Sequence, residues 1–539
     1  VDTMIVGKLL GSQALAAVGS TGSVNFLVIG FCTGMCSGFA IPVAQRMGSG
    51  EHSKMRQCAA NAAWLSAGFA VVLTAATALL CRTILTAMKT PEDIFQDAYL
   101  YILIIFLGIP ATFLYNLLAG VARSLGDSRT PVYFLALSSV LNIALDAGFI
   151  LLFHTGVAGA ALATVISQLV SGVACFFYMR KKFPILHMSR EERAFDPHTA
   201  KVLCKMGLPM GLQYSITAIG SIVLQSAVNT LGSTAVASVT AGQKVSLFFC
   251  CPFDAMGATM ATYCGQNVGA MKLDRLGAGV RDCALLGLGY SLLALVVTAL
   301  FAPQLVMLFL DTREAGVEQV IDLAAQFLLT CTAFYFPLSL VNIVRFSIQG
   351  MGFSTLALLA GVLEMLARTA VGQLLVPAFG YTAACFASPA AWICADLFLI
   401  PACVGCVKHL RKVYQIKAQA QAAALAQPLP ARAGNPPGTH GGIFVESSID
   451  FPPVRALQYS SKTRKERNVY AARCNQRCVH ACCPVWDAVG VSARCQAPCL
   501  IGTKQTRYTG EADSLTRVFL GAHPPFLAIP SCNFLQSPL

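Results

Sequence analysis

Two polar residues within one apolar stretch, Asn142 and Asp146, are the residues of this 539-residue chain best placed to do chemistry. They stand at i and i+4 in residues 138–152, SSVLNIALDAGFILL, and therefore share one helix face. The apolar neighbours extend beyond the length of a soluble core helix, so we expect Asp146 at membrane depth. An ionisable group there costs roughly 2.5–3.5 kcal/mol and typically faces an ion or substrate pathway. The alternative is a structural carboxylate that is hydrogen-bonded inside a helix bundle.

The composition indicates that a membrane protein positions this pair. Hydrophobic residues make up 56% of the chain and charged residues 12%, whereas globular domains carry about 25% charged residues. Runs of about 20 apolar residues predict membrane-spanning helices. We expect an all-α polytopic fold of twelve spans, the first an incomplete, truncated span at 1–10, and the others at 19–43, 58–82, 97–121, 130–153, 157–179, 207–231, 237–265, 282–308, 320–345, 355–377 and 383–407.

Lysine and arginine are distributed unequally between the two sides of this arrangement. Loops on one side carry most of them, among them Arg46, Lys54, Arg56, Arg123, Arg129, Arg180, Lys181, Lys182, Lys272, Arg275, Lys408 and Arg411. Because cytoplasmic loops are enriched in these residues, the basic side is predicted to be cytoplasmic. We expect a multi-pass protein of the cell (inner) membrane, with both termini of the intact domain in the cytoplasm.

The two halves of the apolar region repeat each other. ALAAV at 14–18 matches AVASV at 235–239, an offset of 221, and the same offset places Gln45 on Gln266 and Gly48 on Gly269. An even number of spans per half keeps the orientation, so the halves should be parallel repeats. The predicted organisation is an amino-terminal six-helix lobe at 1–179, a basic cytoplasmic linker at 180–206, a carboxy-terminal six-helix lobe at 207–407 and a basic, cysteine-containing tail at 408–539.

Other polar residues in the spans have less specific signals. Glu364 and Arg368 stand at i and i+4, which predicts a structural ion pair first and a coupling element second. Thr164, in GAALATVIS, is by default a small packing residue, and Asp2 alone is a weak signal because it lies at the chain end.

Several classes of function lack their motifs. The sequence has neither the G-x-x-x-x-G-K-[ST] motif of ATP-driven proteins nor the H-E-x-x-H motif of zinc proteases. We therefore expect no enzyme activity, no cofactor and no metal in the apolar region. The tail contains a cysteine cluster, and its spacing departs from the usual C-x2-C pairs of zinc modules. A zinc module and a basic segment contacting nucleic acid or anionic lipid are alternatives, but a disordered or non-native tail is the leading interpretation; the cysteines are Cys474, Cys478, Cys482, Cys483, Cys495 and Cys499.

A combination of motifs, in order, resembles one transporter family. VDTMIVGKLLGSQALAAVG, AQRMGSG, RSLGDSRTP, LNIALD and GQNVGAMKLDR together resemble the multidrug and toxic compound extrusion (MATE) family, most of all its bacterial DinF-like members. The resemblance covers roughly residues 1–412. It implies two six-helix lobes open in a V to one side, and export of cationic or amphipathic organic compounds by antiport with protons or sodium.

The resemblance also implies roles for single residues. Asp2 matches the family's first-span aspartate, Asn142 and Asp146 match its fifth-span pair, and Thr164 matches a sixth-span threonine. Together they would form the cation and proton-coupling site of the amino-terminal lobe. The NorM-like branch has a coupling glutamate in its seventh span, but 207–225 here has no carboxylate. That difference argues against a cation site in the carboxy-terminal lobe.

The predicted partners follow from this resemblance. We expect a small organic cation as substrate, a proton or less favourably sodium as coupling ion, the lipid bilayer as environment, no nucleic acid and a monomeric state. A flippase for a lipid-linked precursor, from the same superfamily, is the alternative. Such a flippase would need several cationic side chains for a pyrophosphate, and this region has few within its spans, mainly Lys244, Arg345 and Arg368.

Overall fold

The computed structural model describes residues 2–88, 90–308 and 317–426, and these residues are almost entirely helical. The predicted tail lies outside them from residue 427 onwards. The helices of the first half are α1 (Asp2–Leu10), α2 (Ser12–Gly48), α3 (His52–Ala87), α4 (Glu92–Leu107), α5 (Ile109–Ser124), α6 (Arg129–Ala147) and α7 (Gly156–Lys182). Those of the second half are α8 (Pro197–Asn229), α9 (Ser233–Gly269), α10 (Asp274–Met307), α11 (Val317–Ala333), α12 (Tyr335–Gly350), α13 (Ser354–Ala370) and α14 (Val376–Ala426).

These helices supply the twelve predicted spans. The helices α4 and α5 form one bent span with a 45° break, and α11 and α12 form another with a 50° break. A non-helical backbone at Gly380 divides α14, so that its first residues complete the span begun by α13. The first predicted span corresponds to the short helix α1. The all-helical, membrane-spanning fold expected from the sequence is confirmed.

Both lobes contain the same irregularities at corresponding places. The long helices α2 and α9 each follow a glycine of positive φ, Gly11 at 87° and Gly232 at 96°, a conformation that glycine adopts without steric cost. In each lobe the fifth span continues into a π-helical turn. These turns are Gly148–Leu152 after α6 and Val371–Leu375 after α13. The structure therefore extends the sequence repeat to turns and helix defects.

Each half of the bundle has its own apolar core. Phe39, Phe106 and Phe113 are fully or almost fully buried in the first half, and Phe253 and Tyr335 are buried in the second. Many large apolar side chains elsewhere are exposed, as expected of helices whose outer faces contact lipid. A smaller cluster of Ile41 on α2, Met206 and Met210 on α8 and Phe346 on α12 joins the two halves.

The lobes touch through α2 and α8, and small residues make this close approach possible. A Cβ at Gly34 would lie 2.6 Å from the carbonyl oxygen of Met210, and one at Gly38 would lie 2.5 Å from the Cα of Gly207. Glycine stripes of this kind let membrane helices pack backbone to backbone. The Ser215 hydroxyl adds a bond to the carbonyl oxygen of Leu27, at 3.3 Å.

The segment between α7 and α8, inside the predicted 180–206 linker, is docked on α3. Arg56 donates two hydrogen bonds to the carboxylate of Glu192, at 2.6 and 2.7 Å, and Ser53 donates a third, at 2.7 Å. Asp196 caps the start of α8 by accepting the backbone N–H groups of His198 and Thr199. The linker therefore belongs structurally to the first lobe as far as the start of α8.

Candidate functional site

The predicted pair Asn142 and Asp146 lies on α6, in the last two turns before the π-helical turn. Both side chains are buried, and Asp146 has no exposed surface. The Nδ2 group of Asn142 donates a hydrogen bond to the Thr164 hydroxyl oxygen on α7, at 3.3 Å. The structure thus brings Thr164 of α7 to Asn142, which lies 22 positions earlier in the sequence. Asp146 follows Asn142 by one turn of α6. π-Helical turns occur frequently at functional sites.

Helix α1 packs against the same two helices. Val6 of α1 is fully buried in a cluster with Ile150, in the π-helical turn, and with Ala160 and Ala161 of α7. Asp2 begins α1, but its side chain lies outside the described residues. The backbone of α1 is therefore placed beside the α6–α7 pair, and the role of Asp2 remains a prediction.

This arrangement suits a small cation better than it suits bond chemistry. A carboxylate, an amide and a hydroxyl offer oxygen ligands and one site that takes up a proton. Burial makes the charged form of Asp146 expensive, so a cation or a proton that neutralises it gains a large interaction energy.

The second half also contains a buried charged group. Arg368 Nη2 lies 3.7 Å from Glu364 Oε2 along α13. Arg345 of α12 is a second and closer partner, which bonds to the other oxygen of Glu364 through its Nη2. The i, i+4 spacing indicated the first contact. No sequence signal indicated the second, because helix packing alone brings Arg345 to Glu364.

The lobes interlock at the end of the bundle where α2, α5, α9 and α12 finish. We call this the basic end, since Arg46, Arg56 and Lys182 lie there. Gln45 Nε2 donates to the carbonyl oxygen of Gly350 at the end of α12, at 3.0 Å, and Gln266 Nε2 donates to that of Ser124 at the end of α5, at 2.9 Å.

Two glycines make this double crossing possible. A Cβ at Gly48 would overlap the backbone of Gln266, and one at Gly269 would overlap the backbone of Gln45. The four residues are those that the sequence repeat relates by the 221-residue offset. We call Gln45, Gly48, Gln266 and Gly269 the basic-end latch. Each lobe contributes one glutamine and one glycine, so the contact has the two-fold character of the repeat.

A small cavity of about 30 Å³ lies between the lobes next to this latch. Residues from both lobes line it, including Ser37 and Arg123 from the first and Met210, Thr262 and Phe346 from the second.

Comparisons with known proteins agree with this architecture. A family model, MatE, matches residues 1–147 and 209–374. Two probable multidrug resistance proteins of Bacillus subtilis (strain 168), YpnP and YoeA, are each 30% identical to this chain. Their matches cover 64% and 58% of this chain and 76% and 69% of the relatives. An FAD transporter of Shewanella oneidensis is 24% identical, over 69% of this chain and 83% of its own.

Solved structures show the same fold. A MATE structure in the bent conformation has a TM-score of 0.70 at 21% identity, covering 76% of this chain and 91% of that one. A MOP superfamily transporter from Pyrococcus furiosus, in which a reverse polarity of the binding pocket suggests a different function, also has a TM-score of 0.70 at 21% identity, covering 75% of this chain and 91% of that one. With more than half of its length matched by the family model, the chain belongs to the MatE family of multidrug efflux (MATE) transporters.

Proposed function

We propose that the protein is a secondary antiporter that exports cationic or amphipathic organic compounds in exchange for protons. The observation that carries this proposal is the fully buried Asp146 beside the Asn142–Thr164 hydrogen bond. A buried carboxylate with neutral hydrogen-bonding neighbours favours a proton because protonation removes the charge that burial disfavours. Sodium is the less favoured coupling ion, since the same oxygens would also coordinate it.

The transport cycle follows from the charge of this group. With Asp146 ionised, the amino-terminal lobe attracts an organic cation. A proton that reaches Asp146 removes the attraction and changes the packing of α1 against α6 and α7, so the cation leaves. Release of the proton on the other side restores the carboxylate. We place the basic end in the cytoplasm of a bacterial-type inner membrane, following the lysine and arginine distribution.

Ethidium transport in proteoliposomes tests the proposal. A pH gradient is imposed across vesicles containing the full chain, and a sodium gradient is imposed in a parallel series. We expect the pH gradient to drive ethidium transport and Asp146→Asn to abolish it. Asp282→Asn, the same chemical change at an exposed residue of the basic end, should transport as the parent does. Transport driven by sodium alone would contradict proton coupling, and transport by neither gradient would contradict cation export.

An anionic substrate is a second candidate, and two observations favour it. Arg123 lines the cavity between the lobes, and one relative carries the name FAD transporter. A parallel assay therefore loads the vesicles with FAD instead of ethidium. Gradient-driven movement of FAD, lost in Arg123→Gln, would favour this candidate over cation export.

A further inference from the structure

Four ionisable side chains are buried in the last three spans of the carboxy-terminal lobe. Arg345 is on α12, Glu364 and Arg368 are on α13, and Asp396 is near the middle of the segment of α14 that follows Gly380. Their exposed fractions are 6%, 2%, 7% and 8%. Isolated charges are too costly to bury at this depth, so such residues pair with one another or serve ion pathways. We call these four residues the carboxy-lobe cluster.

Glu364 and Asp396 differ in how completely their carboxylate oxygens are paired with donor groups. Glu364 has an arginine on each carboxylate oxygen, so it is held as a fixed anion. Asp396 lies within electrostatic range of Arg345 and Glu364, yet its buried Oδ1 atom accepts no hydrogen bond from the described part of the chain. Arg345 Nε and Arg368 Nη1 are likewise buried without a hydrogen-bond acceptor among the described residues. A native structure rarely leaves such groups buried unless they have a function or an unseen partner.

Among the described residues, the helices packed against α14 contribute no further charged side chain near the middle of the bundle, although α9, packed on α12, carries Lys244 and Asp254. Between residues 206 and 229, α8 has no charged side chain and contributes Gln213, which accepts a hydrogen bond from Gln349 of α12 at 2.6 Å. Helix α11 carries Glu318 and Asp322 in its first turns, and α14 carries its basic residues from Lys408 onwards, towards the basic end. The balance of charge around Asp396 is therefore set mainly by the carboxy-lobe cluster.

This balance makes Asp396 the group that exchanges a proton. With Asp396 ionised, two arginines face two carboxylates and the cluster is neutral. With Asp396 protonated, the cluster carries one positive charge. Burial of Oδ1 without a hydrogen bond disfavours the ionised form of Asp396, and the positive charge of Arg345 favours it. These two effects act in opposite directions on the same carboxyl group.

The internal repeat relates the carboxy-lobe cluster to the Asn142–Asp146 pair of the first lobe. Asn142 and Asp146 lie at i and i+4 just before the π-helical turn of α6, and Glu364 and Arg368 lie at i and i+4 just before that of α13. The two lobes thus have polar pairs at corresponding positions of corresponding spans, each next to the same helix defect.

We propose that the carboxy-lobe cluster is a second coupling site, in which Asp396 takes up and releases a proton while Arg345, Glu364 and Arg368 provide fixed charge. The absence of a seventh-span carboxylate argues against a cation site in this lobe from sequence alone. The structure offers a site built instead from the tenth, eleventh and twelfth spans. The inference rests on the proposed antiport function for its physiological role, but proton exchange at Asp396 can be measured without transport.

Infrared difference spectroscopy of the purified full chain tests the proton exchange. We expect a carboxylic-acid carbonyl band that titrates with pH in the parent and is absent from Asp396→Asn. Asp282→Asn should keep the band, and Asp396→Glu should shift it rather than remove it. A band of equal size in the parent and in Asp396→Asn would overturn the proposal, as would a parent with no titrating band beyond that lost in Asp146→Asn.

A transport measurement then tests the coupling role. Loss of one coupled proton should lower the limiting ethidium accumulation by about ten-fold per unit of pH gradient. We expect this loss in Asp396→Asn with ethidium binding unchanged. Unaltered accumulation in Asp396→Asn would reject coupling, whereas a parent that moves no ethidium would reject the proposed function while leaving the infrared result to decide on Asp396.

Discussion

Asp146 is fully buried one helical turn after Asn142 on α6. Asn142 is fixed by its hydrogen bond to Thr164, and the Thr164 hydroxyl in turn donates to the carbonyl oxygen of Ala160, at 3.1 Å. This chain holds the amide in one orientation. We expect the proton affinity of Asp146 to depend on the neutral side chain of Asn142.

Removing the hydroxyl should change this affinity without unfolding the protein. In Thr164→Val, Asn142 loses its acceptor, and we expect a stability loss of about 0.5–1.5 kcal/mol. The pH dependence of ethidium transport should shift relative to the parent, and Thr164→Ser should restore it. An unchanged pH profile in Thr164→Val, measured over the same range, would show that the Asn142 orientation is unimportant.

The buried pair of Arg345 and Glu364 makes a prediction about stability. Arg345→Ala leaves the Glu364 carboxylate with Arg368 alone in a dry interior, and we expect a loss of about 3–5 kcal/mol. Thermal unfolding in detergent measures it. The triple variant Arg345→Met, Glu364→Met and Arg368→Met removes the whole ion-pair group and should recover most of the loss. Equal destabilisation by the single and triple variants would mean that packing, rather than charge, stabilises this region.

The sequence predicted single residues well where a local pattern existed. The i, i+4 spacing placed Asn142 with Asp146, and Glu364 with Arg368, on common helix faces. It could not predict the Arg345–Glu364 contact, because that contact depends on how α12 and α13 pack. For the same reason no local pattern indicated that Asp396 of α14 would lie within electrostatic range of Arg345 and Glu364.

At the scale of helices, hydropathy located the spans but not their ends. The predicted run 19–43 lies inside the longer α2 (Ser12–Gly48), because polar turns at the membrane surface continue a helix without contributing hydropathy. The bends at Gly108 and Phe334 and the two π-helical turns were also missed. Such defects arise where neighbouring helices press on the backbone, and a window of apolar residues carries no information about that.

The basic-end latch leads to a prediction about the contact between the helix ends of the two lobes. Gly48→Ala would force a methyl group into the backbone of Gln266, so we expect the basic ends of the lobes to separate. Hydrogen exchange should rise at the ends of α5 and α12, where the two glutamines now cap the helices. Gly68→Ala serves as a control because a Cβ there meets no atom within 4 Å. Equal exchange in the two variants would contradict closure by this latch.

At the scale of the whole molecule, the repeat and the linker matter most. The sequence repeat predicted two similar halves, and the structure adds matching bends, glycines and π-helical turns. The docking of residues 183–196 on α3 was not predicted, since single ion pairs such as Arg56–Glu192 have no sequence signature. The predicted cysteine-containing tail beyond residue 426 lies outside the described residues.

Linker docking should weaken in acid. Hydrogen bonds from Arg56 and Ser53 lower the pKa of Glu192 from its ordinary 4.5 to about 2. A lowered folded-state pKa stabilises the docked form above the ordinary value and loses that stabilisation as the pH falls. We expect protease cleavage within 183–196 to accelerate between about pH 4.5 and pH 2, assayed with pepsin. In Glu192→Gln, cleavage should already be fast at the upper end of this range and depend less on pH.

The two glutamine bonds of the basic-end latch also set an energy scale. A neutral hydrogen bond contributes about 0.5–1.5 kcal/mol, so the pair contributes about 1–3 kcal/mol to closure. One proton that crosses a membrane potential of 100 mV releases about 2.3 kcal/mol. Breaking the two hydrogen bonds of the latch would therefore cost about as much free energy as one such proton releases.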